Sequence, residues 1–228
     1  MSRADIPALS IIIPTLNEAG RIGLVLDALG GDENEIIIAD GGSSDTTRDI
    51  ATAHNARIVV TPPGRGRQLV AGAGLACAPW LLFLHADTRL SMGWRDAVEN
   101  FRTAAENQHR AGVFAFRLDD DGPSARRLER IVAWRNRRFG LPYGDQGLLI
   151  SRAFYDQLGG FRTLPLMEDV DLVRRIGGRR ITVLGAHALT SADRYRRGGY
   201  IVRPLRNLAC LGLFFLGLPP RAINWIYR

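Results

Sequence analysis

The amino-acid sequence predicts an α/β fold: a mainly parallel, doubly wound sheet flanked by helices, with a helical tail at the C-terminus. Short apolar runs alternate with amphipathic stretches through the first half of the chain. Polar and acidic clusters then follow the apolar runs at their carboxyl ends, where open α/β sheets bind ligands. The chain has 228 residues, 46% apolar and 23% charged, which suits one globular domain with a small appendage and argues against disorder.

The elements follow in order. "LSIII" (9–13) reads as a buried strand, and "EAGRIGLVLDALG" (18–30) as an amphipathic helix closed by glycine. "EIIIAD" (35–40) is a second strand. "GGSSDTTRDIATAH" is a loop entering a helix, with Ser44 or Asp45 as its cap. "ARIVVT" (56–61) is a third strand, "GRQLVAGAGLACA" (66–78) a helix of small residues, and "WLLFLHAD" (80–87) a fourth strand. Four strands alternating with three helices predict parallel pairing with right-handed crossovers. The alternation weakens after about residue 110. There "AGVFAFRL" (111–118), "QGLLIS" (146–151) and "RITVL" (180–184) read as strands, and "SARRLERIVAWRNRRF" (124–139) as a basic helix. Residues 1–193 are therefore expected to form one domain and 194–228 a basic, apolar tail. Pro219 and Pro220 should break that tail into two short helices.

Composition narrows the function classes. The net charge is +7 and every cation is arginine, since the chain has no lysine. Genomic base composition accounts for that choice. The positive excess by itself suits nucleic acid, anionic lipid or a phosphorylated substrate equally well. Cys77 and Cys210 form no metal or redox spacing, so a reducing cytoplasm is the default. The start, "MSRADIPALS", has no apolar signal region, and the longest apolar stretch, "LACLGLFFLGL" (208–218), is too short to span a bilayer.

Three strand ends carry the polar residues: "PTLNEAG" (14–20), "ADGGSSD" (39–45) and "HAD" (85–87). Each alone reads equally as a turn or a helix cap. Together they would set carboxylates on one rim, where like charges repel unless a cation joins them. A second acidic cluster, "LMEDVDLVRRIG" (166–177), opens a helix whose dipole favours anions.

"SIIIPTLNEAGRI", "EIIIADGGSSDTT", "FLHADTRL" and "MEDVDLVRRI", in this order and spacing, resemble a family 2 glycosyltransferase of the GT-A, Rossmann-like fold over roughly residues 9–185. The likeness extends to small bacterial stand-alone members labelled as radical-SAM- or selenium-associated transferases. The resemblance implies a metal-dependent, inverting enzyme that uses a nucleotide-diphosphate sugar, UDP-linked by expectation. Pro14, Thr15, Asn17, Glu18 and Asp40 would clasp the nucleotide, with Asp40 accepting a uracil N–H and Gly41 lying along the ribose. Arg67 would lean on phosphate or base, and Ala86 would count among the donor contacts.

Asp87 would hold Mg²⁺ or Mn²⁺, hard cations that prefer oxygen. His85 stands where the family usually has a first Asp, so it is either a weaker ligand or a hydrogen-bond donor. His187 would be a further metal ligand. Asp169 would act as general base and Glu168 would orient the acceptor, with Asp145 and Gln146 in a loop near donor and acceptor. Arg194, Arg196 and Arg197 would close over the diphosphate. Gln-x-x-Arg-Trp is absent, which argues against a processive synthase.

A nucleotidyltransferase acting on a sugar phosphate is the alternative, weakened because "PTLNEAGRI" has no glycine-rich loop. A nucleic-acid binder leaves the acidic rim unexplained. Sugar and acceptor are not legible. Related enzymes often use lipid-linked acceptors, so peripheral contact with the inner face of the membrane is one expectation for the tail. Packing on its own sheet, or in a homodimer, are the others.

Overall fold

The computed structural model describes residues 7–30 and 33–227, apart from the side chains of Arg194, Arg197 and residues 224–227. The expectations for Arg194 and Arg197 therefore lie outside the described residues.

Among the described residues, eight strands form one sheet in the order β3-β2-β1-β4-β7-β6-β8-β5. The parallel half holds β1 (Leu9–Thr15), β2 (Glu35–Asp40), β3 (Arg57–Val60) and β4 (Trp80–Phe83). In the second half β7 (Leu148–Ser151) runs antiparallel to both β4 and β6 (Ala111–Leu118). β8 (Ile181–Thr190) is parallel to β6, and β5 (Thr88–Leu90) is antiparallel to β8. Strand order reverses between β1 and β4, so their carboxyl ends open a crevice.

The central strands are apolar on both sides because helices cover both faces. Ile11 and Ile13 join one core with α1 (Ala19–Leu29) and α4 (Trp94–Thr103). Ile12 joins the other with α3 (Arg65–Leu75), α6 (Arg152–Gln157) and α7 (Glu168–Ile176). All three isoleucines are fully buried. Gly72 lets α3 press on β1, since a Cβ there would fall 2.5 Å from the Ile12 side chain.

Several boundaries depart from the sequence reading. β4 ends at Phe83 and not Asp87. Leu84 N–H still donates to the Ile12 carbonyl, and then a turn from His85 to Thr88 carries the chain from β4 to β5 at the far edge of the sheet. β5, α4 and α6 were not anticipated, because three to ten residues with mixed polarity leave no clear period. β8 continues six residues beyond Leu184, through Gly185, Ala186 and Ala188, residues with little intrinsic strand preference. At α2 (Thr47–Ala53), Asp45 and not Ser44 satisfies the first helical N–H, accepting from Thr47 N at 3.0 Å.

The second half adds α5 (Pro123–Phe139) and α8 (Asp193–Gly198). The tail forms two helices, α9 (Val202–Phe215) and α10 (Pro220–Tyr227), as the proline pair requires. Cys210, Leu211 and Ile223 pack on Leu166, Met167 and Val170, so the tail rests against the start of α7.

Candidate active site

The loops leaving β1 and β2 are stitched together. Asn17 stands in the left-handed region (φ 55°), with its N–H on Ser43 Oγ and its side-chain oxygen accepting from Ser44 N, both at 2.9 Å. Glu18 N donates to Thr47 Oγ1 and Ala19 N to Asp45 Oδ2. Gly41 N donates to the Thr15 carbonyl, and Gln68 braces Thr15 and Ala39 from below through their carbonyls. Pro14 lies inside β1 beside Ala39, and Thr15 is buried.

Asp40 is the knot. It is fully buried and accepts from Gly42 N, Ser43 N, Ser43 Oγ and Thr15 Oγ1. Burial pushes its carboxyl up, but those hydrogen bonds outweigh burial and hold it below the ordinary range. The expectation that Asp40 meets a uracil N–H is corrected accordingly. Its lone pairs already hold the loop that a base would lie against.

A cavity of about 120 Å³ opens beside this clasp at the ends of β4 and β8. His85, Asp87, Asp145 and Asp169 line it together with Arg65. Ala86, between His85 and Asp87, is buried in the core instead. Asp87 also borders a second cavity of about 310 Å³, reaching Arg21 and Arg89, so it stands between the two. Ser191 N donates to the Asp87 carbonyl, which ties this turn to the end of β8.

Asp169 is set by Gly144, whose N–H donates to Oδ2 at 2.8 Å. Met167 precedes α7 in the left-handed region (φ 64°), an unusual conformation for a long side chain. That bend lets Glu168 turn inward, to 1% exposure, while Asp169 lines the cavity. Glu168 forms an ion pair with Arg65. Burial raises its carboxyl above the ordinary range, Arg65 opposes that, and Asp169 adds to it. Asp171 pairs with Arg162 and Arg175 on the helix flank.

Asp145 carries the clearest perturbation. Its Oδ1 is buried without a hydrogen-bond partner. Burial pushes its carboxyl up to about 6; Arg135 opposes this, while Asp169 and Asp87 add to it. Neighbouring Gln146 is structural: it accepts from Asn136 and donates to the Phe114 carbonyl.

Among the described residues no three His, Cys, Asp or Glu side chains stand close enough to hold a metal unaided. The cavity nevertheless fits a hard cation. Asp87, Asp145 and Asp169 crowd negative charge into it, and Asp145 Oδ1 is an orphaned acceptor.

Two metal expectations need correction. Arg65 Nη1 lies 3.1 Å from His85 Nε2, and a guanidinium only donates, so that nitrogen's lone pair is taken. His187 sits inside β8, three residues before Thr190 and so about 10 Å back along the strand. It does not line the cavity; Thr190 and Ser191 do.

The arginine at the cavity is also not the expected one. Arg67 is exposed and does not line the cavity, whereas Arg65 does. α3 begins at Arg65, and a shift of two residues turns a side chain about 200° around a helix. Gly66 lets this turn press on residues 162–164, since a Cβ there would come 2.5 Å from the Arg162 carbonyl. Sequence reasoning also missed Tyr143, which carries Arg135 over its ring at 3.6 Å, and Arg203 and Asn207 of α9. The 203/207 spacing, one helical turn, was the available signal. Arg196 is engaged with Asp120 and the Asp119 carbonyl.

Residues 10–159 match the sequence profile described as glycosyl transferase family 2. The chain belongs to that family. A PGL/p-HBAD biosynthesis glycosyltransferase of Mycobacterium bovis (strain BCG / Pasteur 1173P2) is 38% identical over 94 residues, 37% of this chain and 37% of that protein. An uncharacterized glycosyltransferase of Rickettsia felis is 32% identical over 111 residues, 48% of this chain and 39% of that protein. The chain thus spans well under half the length of these relatives.

The fold is similar to that of the mannosyltransferase PcManGT from Pyrobaculum calidifontis in complex with GDP-Man and Mn²⁺. The TM-score is 0.65 at 18% identity, over 90% of this chain and 61% of that one. Glucosyl-3-phosphoglycerate synthase from Mycobacterium tuberculosis, with Mn²⁺, UDP and glucosyl-3-phosphoglycerate, gives a TM-score of 0.57 at 21% identity, over 83% and 71% of the two chains. The expected GT-A architecture of this family is the one the chain adopts.

Proposed function

We propose that this chain is a metal-dependent, inverting, non-processive glycosyltransferase that moves a sugar from a UDP-linked donor to an acceptor hydroxyl. The observation that carries the reading is the convergence of Asp87, Asp145 and Asp169 with Arg65 on one cavity at the carboxyl ends of β4 and β8. Family membership and the Mn²⁺ and nucleotides named for two structurally similar proteins support it.

In this reading the nucleotide lies against the joined β1 and β2 loops, whose shape Asp40 fixes. Asp87 and Asp145 would hold Mg²⁺ or Mn²⁺, which supplies positive charge to the leaving diphosphate. Arg65, held by Glu168, adds a fixed positive charge beside it. Asp169, oriented by the Gly144 N–H, takes the proton from the acceptor hydroxyl as its oxygen attacks the anomeric carbon. The sugar–oxygen bond forms opposite the breaking bond to diphosphate, so the anomer inverts. The reaction belongs in the cytoplasm, and no described helix is long and apolar enough to cross a membrane.

Calorimetric titration of UDP with and without Mn²⁺ tests this. Binding that strengthens with Mn²⁺ is expected; UDP binding that is absent, or indifferent to metal, overturns the reading.

A further inference from the structure

α9 has two faces. Arg203 and Asn207 line the active-site cavity, and Cys210 and Leu211 continue that face onto α7. Around the helix and at its ends, Ile201, Val202, Leu205, Leu208 and Leu216 are between 59% and 79% exposed. The positions 201, 205 and 208 recur at helical spacing, so they form a stripe and not a scatter. An amphipathic surface helix normally turns such a stripe inward, and here the inward face is already occupied.

The charge is equally uneven. Residues 194–228 contain seven of the thirty arginines and none of the twenty-three acids. The remainder of the chain is balanced, so the whole net charge of +7 resides in this tail.

We propose that the outer face of α9 seats on an anionic lipid bilayer. The docking does not rest on the glycosyltransferase reading. Exposed aliphatic side chains would enter the interface, and the tail's net positive charge would draw it to acidic headgroups. Charge selects this occupant over a second copy of the chain. An isologous α9 contact would bring two +7 tails together with no acid in either to offset them.

Vesicle co-sedimentation of the full chain tests the proposal, using phosphatidylglycerol-rich vesicles against pure phosphatidylcholine, at low and high salt. Wild-type protein should bind only the anionic vesicles and be released as salt rises. Leu205→Glu/Leu208→Glu should lower the bound fraction about tenfold or more, because it puts acids into the interface. Both positions are exposed, so circular dichroism and UDP binding should stay as in wild type.

The proposal is overturned if wild type ignores anionic vesicles at low salt, or if the double variant binds them equally. It is also overturned if wild type is a dimer that the variant dissociates, with no vesicle binding in either. Vesicle binding without UDP binding would leave the docking standing and remove the glycosyltransferase reading instead.

Discussion

Arg65→Ala should destabilise the fold as well as the reaction, by an amount set by Glu168. The Glu168 side chain is 1% exposed, while Arg65 keeps 36% of its exposure. Removing one partner of a fully buried ion pair costs about 3–5 kcal/mol, because the other charge is stranded. Water reaches this pair from the Arg65 side, which brings the expectation to about 2–3 kcal/mol. For a urea slope of about 2–3 kcal/mol/M, the unfolding midpoint should fall by roughly 1 M.

Adding Glu168→Gln should return most of that loss, because a neutral amide needs no countercharge. The double-mutant cycle should then give a coupling of about 2 kcal/mol. The deficit should also depend on pH. The folded protein raises the Glu168 carboxyl, so it binds that proton more readily than the unfolded chain does. Such a group stabilises most below its unfolded pKa and loses its contribution as pH rises through the folded value. Without Arg65 that rise grows, so Arg65→Ala should be nearer wild type at pH 5 than at pH 8. Equal destabilisation of the single and double variants, or a deficit flat with pH, would refute the pairing.

Two further variants probe the reacting groups. Asp169→Asn should keep the Gly144 hydrogen bond through its amide oxygen yet lower kcat by at least ~10²-fold with donor affinity little changed; steady-state kinetics on donor hydrolysis or transfer read this, and an unchanged kcat moves the base elsewhere. Gly144→Ala would set a Cβ 2.7 Å from His85 Nε2 and 3.3 Å from Asp169 Oδ2. Overpacking of that kind costs about 1–3 kcal/mol and should displace the base, so turnover should fall about tenfold or more. Wild-type kinetics in this variant would mean that the cavity floor yields freely.

The parallel half of the sheet was legible because its physics is local. Ile11, Ile12 and Ile13 form an unbroken apolar run that only two-sided burial explains, and β2 matches its expected bounds. The second half was harder, since β5 has three residues and β8 passes through glycine and alanine. Site composition was readable at the strand ends, but the direction of each side chain was not. Arg65 and Arg67 differ by two positions and by opposite sides of α3. Asp40 carries the expected residue type, yet its lone pairs are consumed by Thr15, Gly42 and Ser43. His187 belonged to a strand whose end was placed six residues too early. α9's part in the cavity arises from long-range packing onto α7, which no local period reports.

In the proposed reaction a metal held by Asp87 assists transfer from a nucleotide sugar. The most direct measurement is donor hydrolysis across a panel of nucleotide sugars, with Mn²⁺ or with chelator, for wild type and Asp87→Ala. Asp87 is partly exposed beyond the end of β4, so its loss opens no core cavity and thermal unfolding should barely change. One donor class should be hydrolysed by wild type with Mn²⁺, and that activity should vanish with chelator and in Asp87→Ala. Hydrolysis that persists in Asp87→Ala, or that ignores chelator, would rule out a metal at Asp87.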